Sequence, residues 1–189
     1  MIKILDDIVP QQTQDNIENL ITSNKFPWFY QSEMEYNVTN LTNSGITPTV
    51  GFIHPFWLKG KDNSTFSKFS LPPLNYLLDS EGLVLDKIIR IKTNLLLQVN
   101  NYTNDSFGIP HIDEVDKHYV AIYYVNDCDG DTFIFNEDIH FKGSEVTLNK
   151  RVSPKKGRIL FFEGNRYHCA SNPMKSHARF IINYTFTLK

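Results

Sequence analysis

The sequence lacks several features that would point to particular classes of protein. It has no excess of charge, because 19 Lys and Arg stand against 21 Asp and Glu among 189 residues, a formal net charge of −2. A chain this close to neutral has no overall field to attract phosphates, which disfavours a nucleic-acid partner. No apolar run approaches the roughly 18 residues of a membrane span, so we expect no membrane association.

Cysteine is also scarce, and the chain has only Cys128 and Cys169. Neither has a Cys-x-x-Cys partner, which argues against a zinc knuckle or a redox pair. Residues 1–7 lack the basic-then-apolar layout of a signal peptide. We therefore expect reduced thiols and a cytoplasmic location, while a single disulfide remains compatible with the sequence.

Aromatic side chains, in contrast, are abundant: 14 Phe, 9 Tyr and 2 Trp make up 13% of the chain. Disordered chains are poor in aromatics, so this composition excludes disorder. The length suffices for one domain with its own core, and we find no internal repeat or low-complexity linker. We predict a single domain over residues 1–189, with a mixed helical lead-in and loops over 1–83 and a β core over 84–189.

Hydrophobic periodicity predicts helices in the first part and short strands in the second. A helix is predicted over residues 11–23 and another from Pro72, because Ile or Leu recurs on one face of each. Pro55 argues against a central strand in the aromatic segment 52–57. The predicted strands are residues 87–99, 119–125, 132–135, 145–147, 159–162 and 180–188. Strands without intervening helices predict a mainly β fold, an antiparallel sandwich or barrel.

A candidate metal site begins at His111-Ile112-Asp113. On a strand, residues i and i+2 point to the same face, so this imidazole and carboxylate can converge on one cation. His168, a short turn after predicted strand 159–162, is the best candidate for a third ligand. Two histidines and a carboxylate leave three open positions on an octahedral metal, which suits Fe(II) that binds a cosubstrate and oxygen together. A bare His-x-Asp also arises by chance, and either histidine can be purely structural.

Arg179 lies just before the last predicted strand. A buried guanidinium needs an anion, and its planar fork matches a carboxylate. That anion is either a ligand or an Asp or Glu of the chain itself. The remaining histidines are expected at the surface or in loops: His54, His118, His140 and His177.

Taken in order, these motifs resemble those of the Fe(II)- and 2-oxoglutarate-dependent oxygenases, specifically the prolyl 4-hydroxylase-like branch. The matching segments are residues 97–102, 110–113, 122–126, 130–133 and 157–162, followed by His168 and Arg179. The sequence departs from many relatives at Asp131, where they have a second Gly, and at Ile181, where they have Ser. The resemblance implies a double-stranded β-helix core of the jelly-roll, cupin-like type, with flanking helices.

The resemblance also implies roles for individual residues. His111, Asp113 and His168 would bind iron, and Arg179 would pair with the distal carboxylate of 2-oxoglutarate. The other implied cosubstrate-binding residues are Tyr124, Tyr102, Thr132, Asn183 and Gln98. No catalytic residue is implied beyond the metal ligands.

The implied activity is that of a dioxygenase that uses Fe(II), 2-oxoglutarate and O2 to hydroxylate a substrate C–H bond, with release of succinate and CO2. A prolyl or other peptidyl or amino-acid substrate is favoured, so the expected partner is a protein, peptide or small-molecule substrate. The carboxylate of Asp113 favours hydroxylation over halogenation, because related halogenases have a small residue there. Two alternatives stay open: a catalytically silent jelly-roll binding module, and a cupin-like metalloenzyme that does not use 2-oxoglutarate.

Overall fold

The computed structural model describes residues 1–34, 40–100 and 102–189. Asn101, part of the motif at residues 97–102, lies outside the described residues. The helices are α1 (Gln11–Ile21) and α2 (Leu71–Glu81), and a 3-10 helix covers Ser67–Phe69. The strands are β1 (Ile2–Leu5), β2 (Phe29–Gln31), β3 (Gly51–Leu58), β4 (Lys61–Asp62), β5 (Leu85–Leu97), β6 (Tyr119–Tyr124), β7 (Thr132–Asp138), β8 (Leu148–Val152), β9 (Ile159–Glu163), β10 (Arg166–Ala170) and β11 (Ala178–Leu188).

The strands form two antiparallel sheets, which confirms the predicted mainly β class. The larger sheet has the order β1-β9-β6-β11-β5-β3-β2, with β4 paired to β3, and the smaller has the order β10-β7-β8. The lead-in contributes to the larger sheet at two places, because β1 pairs with β9 and β3 pairs with β5. Residues before position 84 therefore extend the sheet that the predicted β core builds.

The two faces of the larger sheet pack against different layers. Along β6, Val120, Ile122 and Tyr124 are buried in a cluster with residues of the smaller sheet. Ala121 and Tyr123 alternate with them and are buried against the helices. Alternate residues of β6 therefore face opposite sides of the larger sheet, and the fold has three layers. The helices cover the outer face of the larger sheet, and the smaller sheet covers its inner face.

Both predicted helices are present, and each buries its apolar face. Ile17 and Ile21 of α1 are buried, and α1 ends at Ile21 rather than at residue 23. Leu74 and Leu77 of α2 are buried in the same layer. Gly82 follows α2 with φ 62°, the left-handed conformation that ends many helices and that glycine adopts without steric cost.

Pro55 was expected to argue against a central strand, and this expectation was wrong. Pro55 lies within β3, which has neighbours on both sides. However, β2 pairs only with residues 51–53 and β4 only with residues 57 and 58. The register between β3 and β5 also shifts directly after Pro55. Among the described residues, no strand of the sheet flanks Pro55 opposite β5, so the missing amide hydrogen is tolerated.

The predicted strand at residues 145–147 was also wrong. The partner of β7 is β8, which begins at Leu148. The apolar residue that suggested the earlier strand, Val146, is buried beneath the outer face of the smaller sheet. In β8 itself only Val152 is buried, so its sequence carries no alternating apolar signal.

Two of the histidines expected at the surface are buried. His54 in β3 has hydrogen-bond partners at both ring nitrogens, the carbonyl oxygen of Pro27 at 2.8 Å and Oγ of Ser64 at 2.7 Å. His118 is buried before β6, where its Nδ1 donates to the carbonyl of Asp116 at 2.7 Å. The two partners of His54 compensate for burying its polar ring, whereas Nε2 of His118 has no hydrogen-bond partner among the described residues.

Cys128 and Cys169 are not joined by a disulfide bond. Within the three described ranges, neither helix is long and apolar enough to cross a membrane.

Candidate active site

His111 and His168 are brought together by their backbones. We had expected His111 to lie in a regular strand, but it does not. It forms an isolated antiparallel bridge with His168 of β10. The amide of each donates to the carbonyl of the other at 3.0 Å. Directly opposed residues of an antiparallel pair share a face, and the two ring centroids lie 4.8 Å apart.

Backbone carbonyls also fix the orientation of both rings. Nδ1 of His111 lies 3.0 Å from the carbonyl oxygen of Ile109, and Nδ1 of His168 lies 3.1 Å from that of Arg166. A carbonyl oxygen only accepts, so in each ring Nδ1 carries the proton and Nε2 has a free lone pair. This is the arrangement that prepares a histidine to bind a metal through Nε2.

Asp113 completes the cluster. Its Oδ1 lies 3.8 Å from Nε2 of His111, and its Oδ2 lies 3.9 Å from Nε2 of His168. The ligand atoms of the three residues all lie within 4.8 Å of one another. Burial alone would raise the pKa of Asp113, but the surrounding positive charges, with Arg90 the largest contributor, together outweigh burial and hold the pKa below its usual range.

The histidines are neutral at ordinary pH. Burial, reinforced by repulsion from His168, lowers the pKa of His111 to about 4. Burial also lowers the pKa of His168. Two neutral imidazoles and one carboxylate are the forms that bind a divalent cation without first losing a proton.

The cluster fits a metal ion in one further respect. Nε2 of His168 is buried and has no hydrogen-bond partner among the described residues. A buried nitrogen without a partner is costly unless something outside the chain occupies its lone pair. The donor set of two imidazoles and one carboxylate matches Fe(II) sites with open positions.

His111 and His168 line a cavity, and Arg179 lines the same cavity and is only 1% exposed. Its Nε donates to the carbonyl of Gly130 at 2.7 Å, and its Nη2 donates to Oγ1 of Thr132 at 2.8 Å. Within the described part of the chain, no Asp or Glu forms an ion pair with it, so an internal carboxylate partner is not seen there. A buried guanidinium without an internal anion is suited to an anionic ligand.

Glycine at position 130 is required by this arrangement. A Cβ there would lie 2.7 Å from the carbonyl oxygen of Ser171 and 3.0 Å from Cδ of Arg179. The following residue is Asp131 rather than a second Gly. Its carboxylate forms an ion pair with Arg151.

The structure separates the remaining predicted cosubstrate residues into two groups. Thr132 and Asn183 line the cavity, and the Tyr124 hydroxyl donates to Oγ1 of Thr132 at 2.8 Å. Gln98 and Tyr102 are not among the lining residues. Gln98 is exposed and donates to the carbonyl of Met174, and the Tyr102 hydroxyl donates to that of Thr47. Every second residue of β5 from Lys92 to Leu96 lines the cavity. β5 ends at Leu97, so this alternation does not reach Gln98.

Three polar residues of β5 were missed by the sequence analysis. Arg90 contacts Asp113, while Lys92 and Asn94 line the cavity. They alternate along a strand that was predicted, so the period of two was the available signal. Gln98 of the same predicted strand had been assigned to the pocket from the family resemblance, but that assignment was not extended back along its face to these residues.

Comparisons with known proteins agree with this geometry. Residues 97–187 match the family model described as "2OG-Fe(II) oxygenase superfamily". No curated protein sequence matches the chain. Among solved structures, the chain is similar to an oxidoreductase of the 2OG-Fe(II) oxygenase family from Burkholderia pseudomallei, with a TM-score of 0.67 and 14% identity over 98% of this chain and 84% of the other.

Two further solved structures differ in their chemistry. One is the non-heme alpha ketoglutarate dependent epimerase SnoN from nogalamycin biosynthesis, with a TM-score of 0.61 and 11% identity over 98% of this chain and 77% of the other. The other is a prolyl hydroxylase from Trichoplax adhaerens in complex with a hypoxia inducible factor peptide, with a TM-score of 0.54 and 15% identity over 98% and 83%.

At these identities the structures establish the fold, and they confirm the predicted double-stranded β-helix. The matched segment 97–187 contains all three members of the metal cluster and Arg179. Residues 97–187 therefore match the 2OG-Fe(II) oxygenase superfamily, and this match together with the metal cluster supports a 2-oxoglutarate-dependent dioxygenase that uses Fe(II), 2-oxoglutarate and O2.

Proposed function

We propose that this enzyme hydroxylates a C–H bond of a peptidyl or amino-acid substrate, with prolyl as the favoured class, and releases succinate and CO2. The observation that carries the proposal is the pairing of two sites in one cavity. The cluster of His111, Asp113 and His168 supplies metal ligands, and the buried cation of Arg179 supplies a site for an anion.

The metal cluster and Arg179 have different roles. His111, Asp113 and His168 would hold the iron, and bound iron with 2-oxoglutarate supplies the oxidising chemistry. Arg179 would bind the distal carboxylate of 2-oxoglutarate. Because Gly130 and Thr132 already hold two of its nitrogens, the guanidinium is oriented before the ligand arrives.

Tyr124 supports Arg179 through Thr132. Burial raises the pKa of Tyr124 to about 12, so its hydroxyl stays protonated and donates at ordinary pH. The Arg179 guanidinium also lies over the Tyr124 ring, 5.8 Å from its centroid. The residues around Arg179 therefore keep water out while leaving the cation available to a carboxylate.

A peptide substrate is favoured by the surface beside the cavity. Strand register places Asn94, Ile53 and Phe29 opposite one another across β5, β3 and β2, so they share one face of the sheet. Asn94 lines the cavity, whereas Phe29 at the far end is 53% exposed. This face gives an extended substrate room to run outward. One structural neighbour, the Trichoplax prolyl hydroxylase, has a peptide bound.

The proposal is tested by succinate release from 2-oxoglutarate with Fe(II), measured with proline-containing peptides and free amino acids. We expect one of these to accelerate succinate formation and to gain the mass of one oxygen atom. Arg179→Ala should raise the KM for 2-oxoglutarate on the order of 100-fold, since truncating one partner of a buried charge pair costs roughly 2–5 kcal/mol. Lys150→Ala, on exposed β8, is the control and should leave it unchanged.

Each alternative has its own outcome. A silent binding module would show no succinate release, and Asp113→Ala would leave its metal affinity unchanged. A metalloenzyme that does not use 2-oxoglutarate would keep its activity in Arg179→Ala. A product altered without gain of oxygen, as an epimerase would give, would keep the enzyme class but contradict hydroxylation.

A further inference from the structure

Arg90 forms its hydrogen bond with one of the two carboxylate oxygens of Asp113, Oδ1. Its Nη2 donates to Oδ1 at 2.6 Å, a short charge-assisted bond. Oδ2 receives only long contacts of 3.4 Å, from Nδ2 of Asn183 and Oγ1 of Thr185. Contacts of that length contribute little, so Oδ2 is the oxygen that remains available as a ligand.

The fold holds Arg90 in this position. Arg90 of β5 is the register partner of Thr185 of β11, and its Nη2 also lies 3.5 Å from Oγ1 of Thr185. The side chain of Asp113 is 3% exposed and that of Arg90 is 21% exposed. The pair is thus shielded from solvent, and its geometry is not averaged as in an exposed ion pair.

The contact between Arg90 and Asp113 affects how many coordination positions stay open on a bound metal. Two histidines and one carboxylate oxygen leave three of six positions open on an octahedral metal. A carboxylate that used both oxygens would leave only two. Two oxygens of 2-oxoglutarate and one molecule of O2 require three, so the second oxygen of Asp113 must be kept away.

We propose that Arg90 is a positioning residue, which holds Oδ1 of Asp113 and so restricts the carboxylate to coordination through one oxygen. The inference rests on the proposed metal cluster, but it adds a residue outside the ligand set. It predicts that loss of Arg90 changes the affinity for the metal and the affinity for 2-oxoglutarate in opposite directions. Without Arg90 the metal gains an oxygen ligand and loses a repulsive neighbour, so it binds more tightly, while the cosubstrate loses a position and binds less tightly.

Co(II) titrations of the metal-free full-length protein test this, because the visible absorption of Co(II) reports its coordination number. Arg90→Met should raise Co(II) affinity by about tenfold, as expected when a nearby positive charge is removed. It should change the Co(II) spectrum and weaken 2-oxoglutarate binding to the Co(II) form by about 10–100-fold, the range usual for residues that support metal ligands. Arg90→Lys keeps a charged donor and should retain the wild-type spectrum.

Lys92→Met is the control for charge alone. Lys92 acts on Asp113 through its positive charge from the same strand, two residues along. Its removal should raise Co(II) affinity but leave the Co(II) spectrum as in the wild type. The proposal is overturned if Arg90→Met keeps the wild-type spectrum and cosubstrate affinity, or if its Co(II) affinity falls together with its melting temperature. Failure of the wild-type protein to bind Co(II) would instead refute the metal cluster itself.

Discussion

At the scale of single residues, the Tyr124 hydroxyl illustrates how the pocket is ordered. It donates to Oγ1 of Thr132, which in turn accepts from Nη2 of Arg179. A hydroxyl oxygen has two lone pairs, so Thr132 can accept both bonds at once. The chain of contacts links the orientation of the buried cation to a tyrosine on β6.

Tyr124→Phe should therefore raise the KM for 2-oxoglutarate severalfold and lower the free energy of unfolding by about 1 kcal/mol, the usual net value of one hydrogen bond. Tyr123→Phe is a matched control from the other face of β6. Its hydroxyl is buried without a partner among the described residues, so its removal should be neutral or stabilising. Steady-state kinetics and thermal denaturation measure both. Equal KM values for the two variants would contradict a role of Tyr124 in orienting Arg179.

The residues that the sequence could predict are those with a fixed chemical type and order along the chain. His111, Asp113 and His168 could be proposed from two short motifs, and the structure brings them together. Arg90 could not, because its contact with Asp113 depends on how β5 lies beside β11 and not on any local pattern.

At the scale of elements, the turn between β9 and β10 determines where β10, the strand that carries His168, begins. Gly164 in this turn donates its amide to the carbonyl of His118 at 2.9 Å. A Cβ at Gly164 would lie 2.0 Å from Nε2 of His118. The His118 ring is buried and held by Asp116, so it cannot move aside freely.

Gly164→Ala should lower the free energy of unfolding by about 1–3 kcal/mol, the usual range for overpacking a buried site. It should also weaken Co(II) binding, because β10 carries His168 only four residues further along. Asn165→Ala, at the exposed neighbouring position of the same turn, is the control and should change stability little. Urea denaturation and Co(II) titration check both. Wild-type stability in Gly164→Ala would show that the turn tolerates a side chain.

Elements were predictable where apolar periodicity was strong. α1 and α2 have clear apolar faces and appear close to their expected bounds. β8 has the sequence Leu-Asn-Lys-Arg-Val and is mostly exposed, so only its pairing with β7 reveals it as a strand. Strands at exposed positions form through backbone hydrogen bonds to a partner, which a single sequence does not display.

At the scale of the whole molecule, ion pairs tie the lead-in to the β core. Arg158, just before β9, donates to both carboxylate oxygens of Asp6 at 2.8 and 2.9 Å. Lys156 contacts Asp15 at 2.7 Å and Glu18 at 2.5 Å, both on α1. These contacts span more than a hundred residues of sequence, which is why charge patterns alone could not predict them.

The Asp6–Arg158 pair makes part of the stability depend on pH. Its hydrogen bonds to Arg158 hold the pKa of Asp6 below its usual value. A carboxyl group whose pKa is lowered by folding stabilises the protein fully above its unfolded pKa of about 3.9. That contribution is lost as the pH falls through the lower pKa of the folded state. Because Asp6 is one-third exposed, we expect only about 1 kcal/mol from the pair.

At pH 7, the free energy of unfolding of Asp6→Asn should therefore be about 1 kcal/mol lower than that of the wild type. The difference should shrink below about pH 4. Asp7→Asn is the matched control: Asp7 is 86% exposed and lies 3.7 Å from Lys155, so its loss should matter little at any pH. Urea denaturation of the three proteins between pH 3 and 7 measures this. A difference between Asp6→Asn and wild type that stays constant over that range would mean that Asp6 acts through packing and not through its charge.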